Sequence, residues 1–221
     1  MGEEILELAS YHKWIGKPNY TSCGIPIYTF DELCFDATIH LLILVWIIIS
    51  SHELLQISHN LNIIIYIISI FILICTSFAF NIIGCGFYYK ANLLRKLDHA
   101  AIFLCIAGIY TAILKPSIIL GLVWIICITC SISKLWLGRK VEDYYIIPLL
   151  LLILLPLIKF WNSAYCRHIV FIIIIMIIGF TFYINNILKG ATGFWHICIL
   201  FIFIIVWHII YLHVKNKEVC E

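Results

Sequence analysis

Charged side chains are scarce in this chain. Asp, Glu, Lys and Arg together make up 12% of its 221 residues, where a soluble domain carries about a quarter. That shortage excludes a water-soluble globular fold. Charge of one sign is missing too: 14 basic and 12 acidic residues leave a net charge of +2. No basic stripe runs along the chain, which excludes nucleic acid as a partner. The N-terminal stretch carries Glu3, Glu4, Glu7, Lys13 and Lys17 and no continuous apolar core. It therefore reads as having no cleavable secretory signal, with the first hydrophobic helix targeting the chain. No internal repeat is visible, nor any linker long enough to separate domains.

Apolar residues dominate, at 64% of the chain with a mean hydropathy of +1.08. The sequence reads as an all-α integral membrane protein. A bilayer-crossing helix needs about 20 mostly apolar residues, and seven such runs are separated by short polar breaks. They fall at about Ala37 to Leu55, Ile63 to Tyr88, Leu97 to Leu114, Ser117 to Leu137, Tyr145 to Phe160, Ile169 to Leu188 and Phe194 to Val214. Apolarity that is continuous rather than alternating selects helices over a barrel. Residues 1–36 then form an N-terminal arm, 37–214 a seven-helix transmembrane domain and 215–221 a short tail. Although ten cysteines occur, Cys75, Cys105, Cys127, Cys130 and Cys198 lie inside apolar runs and read as small buried hydrophobes.

Seven spans place the termini on opposite sides. Lys13, Lys17, Lys90, Arg95, Lys96, Lys134, Arg139, Lys140 and Lys189 fall on the N-terminal side, nine of the 14 basic residues. Lys115, Lys159, Arg167, Lys215 and Lys217 make up the other five. The positive-inside rule predicts a cytoplasmic N-terminus and an external or lumenal C-terminus, which silences the Asn19-Tyr20-Thr21 sequon.

Within lipid the informative residues are polar, because a charged side chain at a span's centre costs about 2.5–3.5 kcal/mol on insertion scales and needs a partner or a cavity. Segment two carries Thr76, Ser77 and Asn81 near its end, segment three opens with Asp98 and His99, segment six ends on Asn185 and Asn186, and segment seven begins with Thr192 and His196. The predicted topology sets all of them at one depth, near the cytoplasmic face. Ser77 with Asn81, and Thr192 with His196, are spaced i,i+4 and share a helical face. A polar pocket of Ser77, Asn81, Asp98, Thr192 and His196 follows. Local roles compete with it: Asp98 as an N-cap of segment three, Ser77 bonding back to the Leu73 carbonyl, His196 as an interfacial residue beside Trp195. His99 reads as a helix contact, His208 and His213 as interfacial, Tyr110 and Trp124 as packing.

The stretch Leu94 to Thr111, LRKLDHAAIFLCIAGIYT, resembles the segment-three signature of the hemolysin III proteins, which belong with the progestin and adipoQ receptors. Phe194-Trp195-His196 resembles their segment-seven motif, and Glu32, Asp36 and His40 resemble the acidic, Asn and His pattern at segment one. The resemblance implies a zinc ion near the cytoplasmic face, an aspartate that orients a water, and a likeness to ceramidase-type membrane amide hydrolases. It carries Ser77, Asp98 and His196 over directly, Asp98 and Ser77 as catalytic residues and His196 as a metal ligand. The other two ligand positions hold Asn81 and Thr192, whose neutral oxygens bind zinc poorly beside imidazole. With His196 and Asp98 as its strong donors, this set predicts substoichiometric zinc. A rearranged site would draw in His99 or Cys85. Three functions compete: a lipid-responsive receptor or regulator with a degenerate zinc site, which the altered ligands favour; a zinc-dependent lipid amide hydrolase; and a pore-forming cytolysin. A membrane lipid is the expected partner in each.

Overall fold

The computed structural model describes residues 19–20, 26–85, 90–137, 148, 152, 155, 165–185 and 190–218. A short antiparallel ladder comes first, β1 (Asn19–Tyr20) against β2 (Pro26–Ile27). Helices follow: α1 (Phe30–Ile57), α2 (Leu61–Phe78) running into a π-helical turn Ala79–Gly84, α3 (Ala91–Ile113), α4 (Ile118–Leu137), α5 (Cys166–Asn185) and α6 (Ala191–Glu218). All six are long and apolar enough to cross a membrane. The chain is thus a multi-pass integral membrane protein. The expected fifth span, Tyr145 to Phe160, lies outside the described residues apart from Pro148, Leu152 and Leu155. So do the charged loop 138–143, Asn186 and Lys189.

α1 starts seven residues before the expected Ala37, and its first turn explains why. The Thr29 side chain accepts from the Glu32 N–H while the Glu32 carboxylate accepts from the Thr29 N–H, a capping box. Asp31 and Glu32 also complement the positive end of the helix dipole. Glu32, Asp36 and His40 are thereby wound onto successive turns of one helical face, all buried. At 28 residues the helix is roughly 42 Å long at 1.5 Å per residue, more than the hydrocarbon thickness. Its polar first turns therefore extend the bundle beyond the apolar layer.

The main core is isoleucine-rich and joins α1, α2 and α6: Ile43, Ile47 and Leu54 meet Ile63, Tyr66, Ile70 and Ile74, with Phe203, Val206 and Ile210 closing the third side. A second cluster packs Phe103, Ala107 and Tyr110 of α3 on Val123 and Cys127 of α4. Tyr110 donates to the Leu152 carbonyl and Trp124 to the Thr111 hydroxyl, so both side chains serve packing. The most intimate helix pair is α2 with α3. Gly108 allows it, since a Cβ there would collide with Ser69 Oγ. Ile118, Leu122, Ile125 and Ile132 on α4, with Phe171, Ile174 and Ile177 on α5, are exposed at the bundle's periphery, where lipid would solvate them.

Candidate metal centre

Where α1 and α3 begin, α2 ends and α6 begins, four helices converge on a group of buried polar side chains. Asp36, His40, Ser77, Asp98 and His196 are between 1% and 8% exposed. Helix ends so placed bring together residues up to 160 positions apart, as in the 2.7 Å contact between His196 Nδ1 and Asp36 Oδ1.

Hydrogen-bond logic fixes both imidazoles. Asp36 Oδ1 as a carboxylate can only accept, so His196 donates from Nδ1. His40 Nδ1 lies 2.9 Å from the Asp36 carbonyl oxygen, another pure acceptor, so His40 also donates from Nδ1. In each neutral ring Nε2 is left as an acceptor, and both Nε2 atoms approach Ser77 Oγ, at 3.2 Å for His40 and 3.3 Å for His196. The rings stand 4.2 Å apart, edge to face. The Asp98 carboxylate stands close to the same Ser77 side chain. One hydroxyl proton thus faces two imidazole acceptors.

The deficit is compounded at Asp36, whose Oδ2 is buried without a hydrogen-bond partner. Of the two carboxylates in this buried group, Asp36 is compensated by His196 Nδ1 at 2.7 Å and by His40 Nδ1 only at 3.6 Å, beyond hydrogen-bond reach. Such a group is stable once a proton or a cation enters it. Asp36, His40 and His196 can each offer one ligand atom within 4.8 Å of the others, the one such group among the described residues. Two imidazoles and a carboxylate match the donor set of zinc sites that keep an open position. For His40 the second shell fits as well, because its Nδ1–H is held by the Asp36 carbonyl, as in ligating histidines; the Asp36 carboxylate, which accepts from His196 Nδ1, would have to turn from that bond to ligate an ion beside His196.

This donor set differs from the one expected. The structure brings Ser77, Asn81, Asp98, Thr192 and His196 to one place, yet Asn81 and Thr192 do not join the metal-capable group. Both are engaged by Tyr28, whose hydroxyl lies 2.9 Å from Thr192 Oγ1 and 3.3 Å from Asn81 Oδ1. Asn81 also donates to the Ser77 carbonyl at 3.0 Å and more distantly to its Oγ at 3.4 Å. Asp36 and His40, not Asn81 and Thr192, stand with His196 in the group that could hold a metal. Neither His99 nor Cys85 belongs to the group: His99 stands edge-on to Phe80, and Cys85 packs with Phe80, Ala91 and Tyr28.

Two local readings are corrected. α3 is capped at Lys90 and begins at Ala91, so Asp98 lies two turns inside the helix rather than at its N-cap. It is Thr76, not Ser77, that bonds back to the Ile72 and Leu73 carbonyls. Asn81 sits in the π-helical turn, and such turns are frequent at functional sites. Glu32 ties the assembly together by accepting from the Gly190 N–H at 2.8 Å with Oε1 while Oε2 caps α1. Gly190 precedes α6 with φ 79°, a left-handed backbone that favours glycine.

No family model, no curated protein and no solved structure matches this chain.

Proposed function

We propose that this chain is a hemolysin III-like membrane protein that holds a divalent metal through Asp36, His40 and His196 and cleaves an amide or ester bond of a membrane lipid. The observation that carries the reading is the buried group of two histidines and one carboxylate within 4.8 Å, with one carboxylate oxygen short of a donor and His40 already oriented by the Asp36 carbonyl. Zinc suits the donor set. When bound, such an ion acidifies a water and polarises the scissile carbonyl.

The chain's own residues supply the remainder. The Asp36 carbonyl holds His40 by its Nδ1–H, so His40 Nε2 faces inward, while the Asp36 carboxylate, which accepts from His196 Nδ1, would turn from it to ligate an ion. Asp98 faces this group from α3 and interacts with His196 and Ser77. It is placed to take a proton from an attacking water as a general base. Ser77, midway between the imidazoles, positions a water or a substrate oxygen. Burial among four helices excludes bulk water and strengthens each of these interactions. The charge bias of the loops supports a cytosolic side for this end, at the level where a lipid's polar linkage would enter the bilayer.

The second reading, a lipid-responsive receptor or regulator, draws on the same centre. Its hydrogen bonds and charge contacts join α1, α2, α3 and α6, so occupancy would shift their packing. Incubating the zinc-loaded protein in liposomes that contain ceramide and phosphatidylcholine, with mass spectrometry of released fatty acid, separates the two. Release that is lost in Asp98→Asn supports the hydrolase. Intact lipids after prolonged incubation would overturn it and leave the regulator.

A further inference from the structure

A second polar layer lies one helical turn outside the first. Asn81 is four residues beyond Ser77 toward the end of α2, and Thr192 is four residues before His196 toward the start of α6. Both therefore sit about 6 Å closer to the end of the bundle than the metal-capable group. Tyr28, two residues before α1, reaches across this layer and bonds to both. Its ring packs against Phe80, Cys85 and Ala91. A tyrosine outside any helix is thus half-buried over this polar end of the bundle. Burial also holds its phenol well above the ordinary tyrosine range, which keeps it a neutral hydrogen-bond donor.

We propose that Tyr28 is a latch: its hydroxyl, by bridging Asn81 on α2 and Thr192 on α6, closes the mouth through which the buried group is reached, and breaking that bridge opens it. The segment is tethered at its helix end, where Thr29 and Glu32 cap α1 and Glu32 grips Gly190. Opening therefore requires a swing of the Tyr28 side chain and the strand before it, with α1 left in place. The phenol has one proton for two partners, and the Thr192 hydroxyl can return a proton to the phenol oxygen. The bridge is complete without any other group. A lipid headgroup that carries a hydroxyl or an amide N–H offers Asn81 and Thr192 the same bonds and is the class of ligand able to displace the latch. This device is independent of which chemistry the inner group performs.

Cys85 reports on it. It is buried at 1% exposure beside Tyr28, so it is shielded from reagent while the mouth is shut. The full chain in liposomes is treated with N-ethylmaleimide, and labelling of Cys85 is followed by peptide mass spectrometry, with fully buried Cys127 on α4 as the internal control. Tyr28→Phe, which keeps the ring and removes the bridge, should speed Cys85 labelling about fivefold to tenfold, the shift that loss of one net hydrogen bond gives. Thr192→Val, which leaves Tyr28 and Cys85 untouched, should act in the same direction. Cys127 should remain unlabelled in both. Unchanged Cys85 labelling in either variant, a rise confined to Tyr28→Ala, or equal rises at Cys85 and Cys127 would overturn the latch.

Discussion

The two polar layers at one end of this bundle are built from similar parts and differ in their bookkeeping of protons. The outer layer, Tyr28 with Asn81 and Thr192, is neutral, and its hydroxyls and amide satisfy one another. The inner layer, a turn deeper, has two carboxylates and two imidazoles around a single serine hydroxyl, and one carboxylate oxygen has no hydrogen bond, with His40 Nδ1 3.6 Å away. A satisfied layer needs no further ion to be stable. An under-satisfied one buried this deeply favours the entry of something positive, because a poorly compensated carboxylate is costly away from water. The contrast is the ground for proposing a metal at the inner layer rather than the outer one.

The largest effect is expected from His40→Ala, which deletes an imidazole donor. Zinc affinity, read by competition with a chromogenic chelator, should fall by about 100-fold or more. Asn81→Ala in the outer layer should change it by less than about threefold, since one neutral amide outside the donor set is removed. Comparable losses in the two variants would erase the distinction between the layers. Asp36→Asn is the next test. It should weaken zinc by about 10- to 100-fold, while the metal-free protein loses no thermal stability, because the substitution relieves a surplus of negative charge. A metal-free Asp36→Asn protein that melts well below the native one would mean that the carboxylate is already balanced.

The alignment of the layers depends on how closely α2 lies on α3. Gly108→Ala puts a methyl group where Ser69 Oγ now sits and should cost about 1–3 kcal/mol by overpacking, read as a lower midpoint of thermal unfolding in detergent. The double variant Gly108→Ala, Ser69→Ala should recover most of the loss. The smallest effect belongs to the outer layer itself: Tyr28→Phe should lower stability by about 1 kcal/mol, one net hydrogen bond, with no loss of bound metal.

Much of the architecture is legible in the sequence, because a continuous apolar run in lipid has one stable outcome. The six described spans fall where the apolar runs lie, and equal depth with i,i+4 spacing brings Ser77, Asn81, Asp98, Thr192 and His196 together. Three things escape such a reading. Starting the first span at Ala37 severs Asp36 from His40, although Thr29-x-x-Glu32 is a capping box and Glu32, Asp36 and His40 recur every four residues. Those two signals together mark a polar face one helix turn earlier. Apolarity alone starts α3 six residues late, because Arg95 and Lys96 interrupt apolarity without interrupting the helix. Tyr28 carries no signal, since its partners lie 53 and 164 residues away and no local pattern encodes such a contact.

The central claim is that the inner layer holds one divalent metal through Asp36, His40 and His196. Elemental analysis of the full-length protein, purified without chelator and measured beside His40→Ala and Thr192→Ala, tests it most directly. The account predicts about one zinc per chain in the native protein and in Thr192→Ala, and a metal-free His40→Ala. A native protein that holds no transition metal and takes none up when zinc is supplied would contradict it, as would loss of metal from Thr192→Ala with retention in His40→Ala.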